Sequence, residues 1–160
     1  MSADEHKTML KNMFAELANG NGEALLDALD ENIQWTVIGS TSISKTYNGK
    51  QSVIEDFLGP FSEAIDGHIQ ITPENFIADG DYVALQGRGE SRTKAGVDYN
   101  NTYCWVYRFK KDKIISIVEY LDTELVREFF QALATHGGLT FTDERGVIRA
   151  HPCVAMERDA

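Results

Sequence analysis

Three large rings and two carboxylates crowd into residues 103–122 of this chain: Tyr103, Trp105 and Tyr107, then Glu119 and Asp122. The segment reads as a hairpin of two long strands, Tyr99 to Lys110 and Lys113 to Leu121, turning at Lys111-Asp112. Side chains alternate across a strand, so the three rings share one face. Rings of that size need a cover, whether a helix, a second chain or a ligand. A carboxylate beside such a surface is desolvated, and desolvation moves its pKa toward the range where it serves as acid or base. Glu119 and Asp122 are therefore the candidate catalytic residues of an apolar pocket.

Each has a plainer reading. Asp122 ends the last strand just before Thr123 and a helix, where an Asp holds backbone N–H groups as an N-cap. Its chemical reading is a carboxylate at the pocket mouth that accepts a proton or orients water. Glu119 shares a strand face with Leu121, opposite Val118 and Tyr120. It is either a buried carboxyl or one paired in a salt bridge or dimer contact. Trp35, Tyr47, Phe61, Tyr103, Trp105, Tyr107 and Leu121 are the candidate ligand-binding lining, with core packing the plain role for any one ring. Tyrosine and tryptophan add polar handles that orient ligands in mainly apolar pockets. Gly87 and Gly89, two apart on a strand, either bend the sheet or leave room for a ligand. Arg88 and Arg92 face the other side, as surface or dimer residues.

The positioning elements follow from periodicity. Met9, Leu10, Met13, Phe14 and Leu17 recur at helical spacing between Asp4 and Asn19, and Asn19-Gly20-Asn21-Gly22 stops the helix. A short helix, Glu23 to Leu29, precedes a break at Asp30-Glu31-Asn32. Ile33 to Ile38 reads as a strand with Ile33, Trp35 and Val37 on one face. Tyr47-Asn48-Gly49 is a turn before a third helix, Lys50 to Ala64, which Gly59-Pro60 should break or kink. Strands then dominate: His68 to Ala78, with Pro73 implying an irregular or edge position, Tyr82 to Arg92, and the aromatic hairpin. A last helix runs from Glu124 to Ala134. Segregated helices and antiparallel strands define an α+β fold, expected as one domain over residues 1–136. Leu139 to Phe141 and Val147 to Ala150 form at most a weak hairpin in an extension, 137–160.

Composition narrows the function classes. A formal net charge of −10 repels phosphate backbones, which argues against nucleic acid, and no basic cluster suits an anionic membrane. No apolar run of about 18 residues or signal pattern appears, which fits a cytoplasmic protein. Cys104 reads as a small buried hydrophobe, and a disulfide to Cys153 is disfavoured on the intracellular reading. The four histidines are scattered, so no metal is expected.

The order of these features resembles the SnoaL-like, ketosteroid-isomerase-like branch of the NTF2-like superfamily. The matching residues are Asn19-Gly20-Asn21, the run Leu29 to Trp35, Gly39, Tyr47-Asn48-Gly49-Lys50, Tyr103 to Phe109, and Lys113 to Thr123. The resemblance covers about residues 5–134. It implies a cone of three N-terminal helices on a curved antiparallel or mixed sheet with a C-terminal helix, a deep apolar cavity, a homodimer and no cofactor. It also implies that the Leu121 face lines the cavity, so that Glu119 is buried there. Ketosteroid isomerases use a tyrosine on helix one, a base on the first strand and a protonated carboxyl on the aromatic strand. Aligned here, those places fall at Met13, Thr36 and Trp105, none of which can act so. Ketosteroid isomerisation is thus not expected.

Two functions remain, with a third behind them. One is a cofactor-free isomerase, cyclase, dehydratase or hydrolase acting on a small apolar molecule, with Asp122 or Glu119 as acid/base and Tyr103 or Trp105 donating to a substrate oxygen. The other is a non-catalytic binding protein or dimeric interaction module. The third is a structural dimer whose cavity is closed by packed rings.

Overall fold

The first helix begins with a capping box. The Ser2 hydroxyl accepts the Glu5 N–H while the Glu5 carboxylate accepts the Ser2 N–H, satisfying two of the amides a helix start leaves orphaned. In this computed structural model, which describes residues 1–135 together with Thr140–Phe141 and Ile148–Arg149, that helix is α1, Ala3–Ala18. Leu10, Met13 and Phe14 form its buried stripe. His6 is also buried, stacked on Phe109 at 4.4 Å, with its ring nitrogens 3.4 and 3.1 Å from the carbonyls of Gly80 and Lys111. One side chain thus ties α1 to two hairpin turns.

After α2, Glu23–Ala28, come strands β1, Leu29–Val37, and β2, Thr46–Asn48. The meander β3, Gln70–Asp79, β4, Tyr82–Glu90, β5, Thr102–Lys110, and β6, Lys113–Leu121, completes a six-stranded sheet in the order β2-β1-β6-β5-β4-β3. The β1–β6 pairing is parallel and the others are antiparallel, so the sheet is mixed. It curves without closing, and the helices pack on it as an α+β cone. β1 begins earlier than the Asp30-Glu31-Asn32 break suggests. Pairing with β6 carries the chain through that stretch, and the conflict appears as a register irregularity between Leu29 and Gln34. Tyr47-Asn48, expected as a turn, is instead an edge strand paired with β1, and the turn falls on Gly49 at φ 86°.

The third helical region resolves the Gly59-Pro60 conflict without breaking. α3, Lys50–Ser52, runs into a π-helical segment, Val53–Leu58, and then α4, Gly59–Ala64. Pro60 stands in the first turn of α4, where its missing N–H costs little. Gly59 has no Cβ because one would lie 2.9 Å from the Ile54 carbonyl oxygen. Phe57, Leu58 and Phe61 of this region line the space between the helices and the sheet.

β4 and β5 bury alternate residues, so one sheet face belongs to the core. The last helix, α5, Thr123–Thr135, docks Val126, Phe129, Phe130 and Leu133, with Phe129 stacked on Phe61 at 4.9 Å. Thr140–Phe141, β7, pairs antiparallel with Ile148–Arg149, β8. Apart from these four residues, the extension expected at 137–160 lies outside the described residues.

Candidate functional site

The helices do not fill the hollow of the sheet. Between them lies a cavity of about 470 Å³, within the range of small-molecule sites. α1 contributes Met13, Phe14 and Leu17, the π segment and α4 contribute Phe57, Leu58 and Phe61, and the sheet contributes Trp35, Tyr103, Trp105, Tyr107, Glu119 and Leu121. Gly20, Gly22, Gly67, His68 and Gln70 are exposed and ring the open end. Tyr103 and Trp105, two apart on β5, stack with centroids 4.5 Å apart and rings 12° from parallel.

The paired glycines of β4 make that stack possible. A Cβ on Gly89 would sit 2.8 Å from Cε2 of Tyr103 and 3.2 Å from both Ile69 and Ile71. One on Gly87 would be 3.0 Å from the Thr72 carbonyl oxygen and 3.5 Å from the Trp105 ring. The space the glycines leave is taken by rings and by the β3 backbone.

Among the described residues Glu119 is the one carboxyl of the lining, and it is only 6% exposed. It stands opposite Trp105 in the β5–β6 ladder, and the Trp35 indole N–H donates to its Oε2 at 2.8 Å. Among the described residues it makes no ion pair. Burial raises its pKa from 4.5 to about 7, against the pull of hydrogen bonds from Trp35 and Trp105. Desolvation wins because two neutral N–H donors are weak compensation for a buried anion. The same burial, with the Glu119 charge as a lesser cause, holds the Tyr103 and Tyr107 phenols well above their usual pKa. They are neutral hydrogen-bonding groups at any ordinary pH.

Asp122, the other candidate, is not brought into the cavity. Its carboxylate is exposed and accepts the Glu124 N–H at 2.9 Å, capping α5. Its backbone is fixed from behind by buried Asn101, whose Oδ1 accepts the Asp122 N–H at 2.9 Å and whose Nδ2 donates to the Asp122 carbonyl at 3.1 Å. Tyr47 is on the expected face, directly opposite Trp35, but Phe57 stacks over it at 4.7 Å and its hydroxyl donates to the Ile43 carbonyl. It is core beneath the lining. Thr36, aligned above with the isomerase base, faces away from the cavity and hydrogen-bonds Thr46 at 2.8 Å. Ile33, Trp35 and Val37 are the residues of this stretch of β1 that are buried, so Thr36 offers no group to the cavity.

Two functional candidates escaped the sequence reading. Tyr99 and Asn101 fall where the sequence predicts the start of a strand, yet Tyr99 lines the cavity and Asn101 is buried behind it. Nothing in their spacing marks them, because they lie in the irregular approach to β5. Cys104 is a free thiol facing away from the rings, and Cys153 lies outside the described residues. No helix of the described residues is long and apolar enough to cross a membrane.

An open, helix-lined cone on a mixed sheet is the architecture of the NTF2-like proteins. Residues 10–117 match the SnoaL-like domain family, and the chain belongs to it. An NTF2-like protein from Burkholderia xenovorans is 27% identical, covers 80% of this chain and 97% of its own, and superposes with a TM-score of 0.64. A putative isomerase from Bacillus subtilis (19% identity, 82% and 97% coverage, TM-score 0.68) and a putative SnoaL-like polyketide cyclase from a Jannaschia species (14%, 78% and 90%, 0.65) share the fold. The imidazoleglycerol-phosphate dehydratase of Cereibacter sphaeroides KD131 is 64% identical over 36 residues only, and the match spans 22% of this chain and 16% of that protein.

Proposed function

We propose that this SnoaL-like protein is a cofactor-free isomerase, cyclase or hydrolase that uses Glu119 as acid/base on a small apolar molecule held in the cavity. The observation that carries the reading is a buried carboxyl, with no ion-pair partner among the described residues, in a mainly apolar lining. Such a group is expensive to keep unless it is used. With a pKa near neutrality it is present in both protonation states, the condition for taking a proton from one atom and returning it to another. Trp35 holds the carboxylate in place, and Trp105 stands across from it. Asp122 has no part in this scheme, because its carboxylate caps α5.

Thermal-shift screening against steroids, aromatic polyketides, terpenoids and fatty acids, with mass spectrometry of each mixture, tests the reading. Saturating ligand at about 100 times its dissociation constant adds about 2.7 kcal/mol of stability. A stabilising compound is expected to be consumed by the wild type and left intact by Glu119→Gln. Equal turnover by both proteins contradicts the assignment.

The second reading is a non-catalytic binding module. It is favoured by the lack of a second carboxyl in the cavity lining among the described residues, and by Met13 and Trp105 at the places that the resemblance aligns with an isomerase's tyrosine and carboxyl. It predicts stabilising ligands that survive unchanged. Either reading includes a cytoplasmic homodimer. Exposed Tyr82 and Tyr120 lie on the outward sheet face, and analytical ultracentrifugation tests the dimer directly.

A further inference from the structure

Along β5 the cavity runs from a floor to a mouth. Phe109 is closed off by the stacked His6 ring, Tyr107 and Trp105 line the space above it, and Tyr103 comes last. α1 runs the same way. His6 lies on Phe109, Phe14 lies 6.1 Å from Trp105, and past the helix end the chain reaches the rim at Gly20 and Gly22. Ile69 and Ile71, next to the rim residues His68 and Gln70, approach Gly89 beside the Tyr103 ring. Glu119 pairs with Trp105, Ile117 with Tyr107 and Leu121 with Tyr103. Side chains two apart on a strand are about 7 Å apart, so Glu119 stands one such layer above the floor and one below the Tyr103 layer. A molecule that fills the floor and sets a reacting atom at Glu119 still has its other end directed at the mouth.

Three glycines stand at that mouth, and two of them have a backbone reason. Gly20 has φ 86° and Gly67 has φ 80°, the region that favours glycine. Gly22 has no such reason. Its φ of −65° and ψ of −25° suit any residue, and a Cβ there would meet nothing within 4 Å. It precedes α2 without a side-chain cap, where Ser, Asn or Asp would hold the helix start better. Neither the backbone nor the packing calls for glycine at this point of the rim.

We propose that Gly22 is a specificity-determining position: its missing side chain keeps the mouth open to ligands longer than the cavity, amphiphiles whose apolar body is enclosed and whose polar end emerges past Gly22. The inference rests on the ligand-binding reading above and names the shape of the ligand. The exposed side chains of Ser62, His68 and Gln70 give the emerging end hydrogen-bonding partners at the rim. An apolar end would stay in water there and gain nothing from the cavity.

The test uses two probes with one ring system: 2-ethylnaphthalene, and the same molecule with a tetraethylene glycol tail on its ethyl group. The tail is polar, so it stays bound only where it can leave through the mouth. Fluorescence titration gives the affinity of each for the wild type and for Gly22→Ala, Gly22→Leu and Gly22→Trp, with melting temperatures to follow the fold. The readout is the ratio of the two affinities. In the wild type the tailed probe should bind within about threefold of the compact one, less than half a kcal/mol per twofold change. The ratio should fall with side-chain size, by about tenfold in Gly22→Trp, where the tail must displace a seated indole. A wild type that binds the compact probe and rejects the tailed one overturns the proposal and leaves the cavity reading standing. So does a ratio that stays constant from Gly22→Ala to Gly22→Trp, including loss of both probes in step. Failure of both probes to bind the wild type overturns the ligand-binding reading itself, and this inference with it.

Discussion

Replacing Glu119 by Gln should stabilise the protein above neutral pH and not below it. Gln keeps an oxygen to accept the Trp35 N–H, so the 2.8 Å bond survives, and the ionisation is removed. In the wild type the folded-state pKa of about 7 lies above the 4.5 of the unfolded chain. The neutral form is therefore the one that favours folding. Its contribution is complete below about pH 4.5, is lost as pH rises toward 7, and stays lost above that. One pKa unit is worth 1.36 kcal/mol, so the wild type forfeits about 2.5 kcal/mol between pH 5 and pH 8 through this group. Glu119→Gln forfeits none of it. The new amide N–H groups lack obvious partners and cost about 1–3 kcal/mol at every pH. The signature is thus the pH-dependent part of the difference between the two proteins. Urea denaturation of both at pH 5 and pH 8 measures it, and the variant should gain about 2.5 kcal/mol relative to wild type across that interval. Parallel pH profiles would refute the claim that Glu119 is a strongly desolvated carboxyl.

Other outcomes follow from single contacts. Asp122→Ala should cost about 1 kcal/mol through the lost cap on α5 and leave ligand affinity in the cavity unchanged, measured by chemical denaturation and titration. Asn101→Ala should cost more, about 3 kcal/mol, because it strands the Asp122 backbone groups that it satisfies from a buried position. Gly89→Ala drives a Cβ to 2.8 Å from the Tyr103 ring and should lower stability by about 1–3 kcal/mol while changing ligand affinity, seen in paired melting and binding experiments.

Local pattern carried the strands and helices a long way. The hairpin of β5 and β6 is legible because alternation and aromatic content agree, and β6 keeps the expected bounds, Lys113–Leu121. Parity alone put Glu119 and Leu121 on one face, and both line the cavity. What sequence could not give was depth along the third dimension. Tyr47 has the right parity, yet a ring from another element, Phe57, covers it. Asp122 has the right residue type, but its position just before α5 leaves its carboxylate exposed and capping. The Gly59-Pro60 pair reads as a helix breaker by local rules, yet the chain passes through a π turn, Val53–Leu58, straight into α4, with Pro60 in its first turn. Asn101 carries no local signal at all, since its value comes from two backbone bonds to a residue twenty-one positions away.

The central claim is that Glu119 titrates near neutrality inside the cavity, and the chain supplies its own reporter. Its two tryptophans are Trp35 and Trp105, one hydrogen-bonded to Glu119 and the other opposite it in the ladder. A pH titration of tryptophan emission in the folded protein should show a step with a midpoint of about 7 that disappears in Glu119→Gln. A step centred near 4.5, or one that survives the substitution unchanged, would contradict the account.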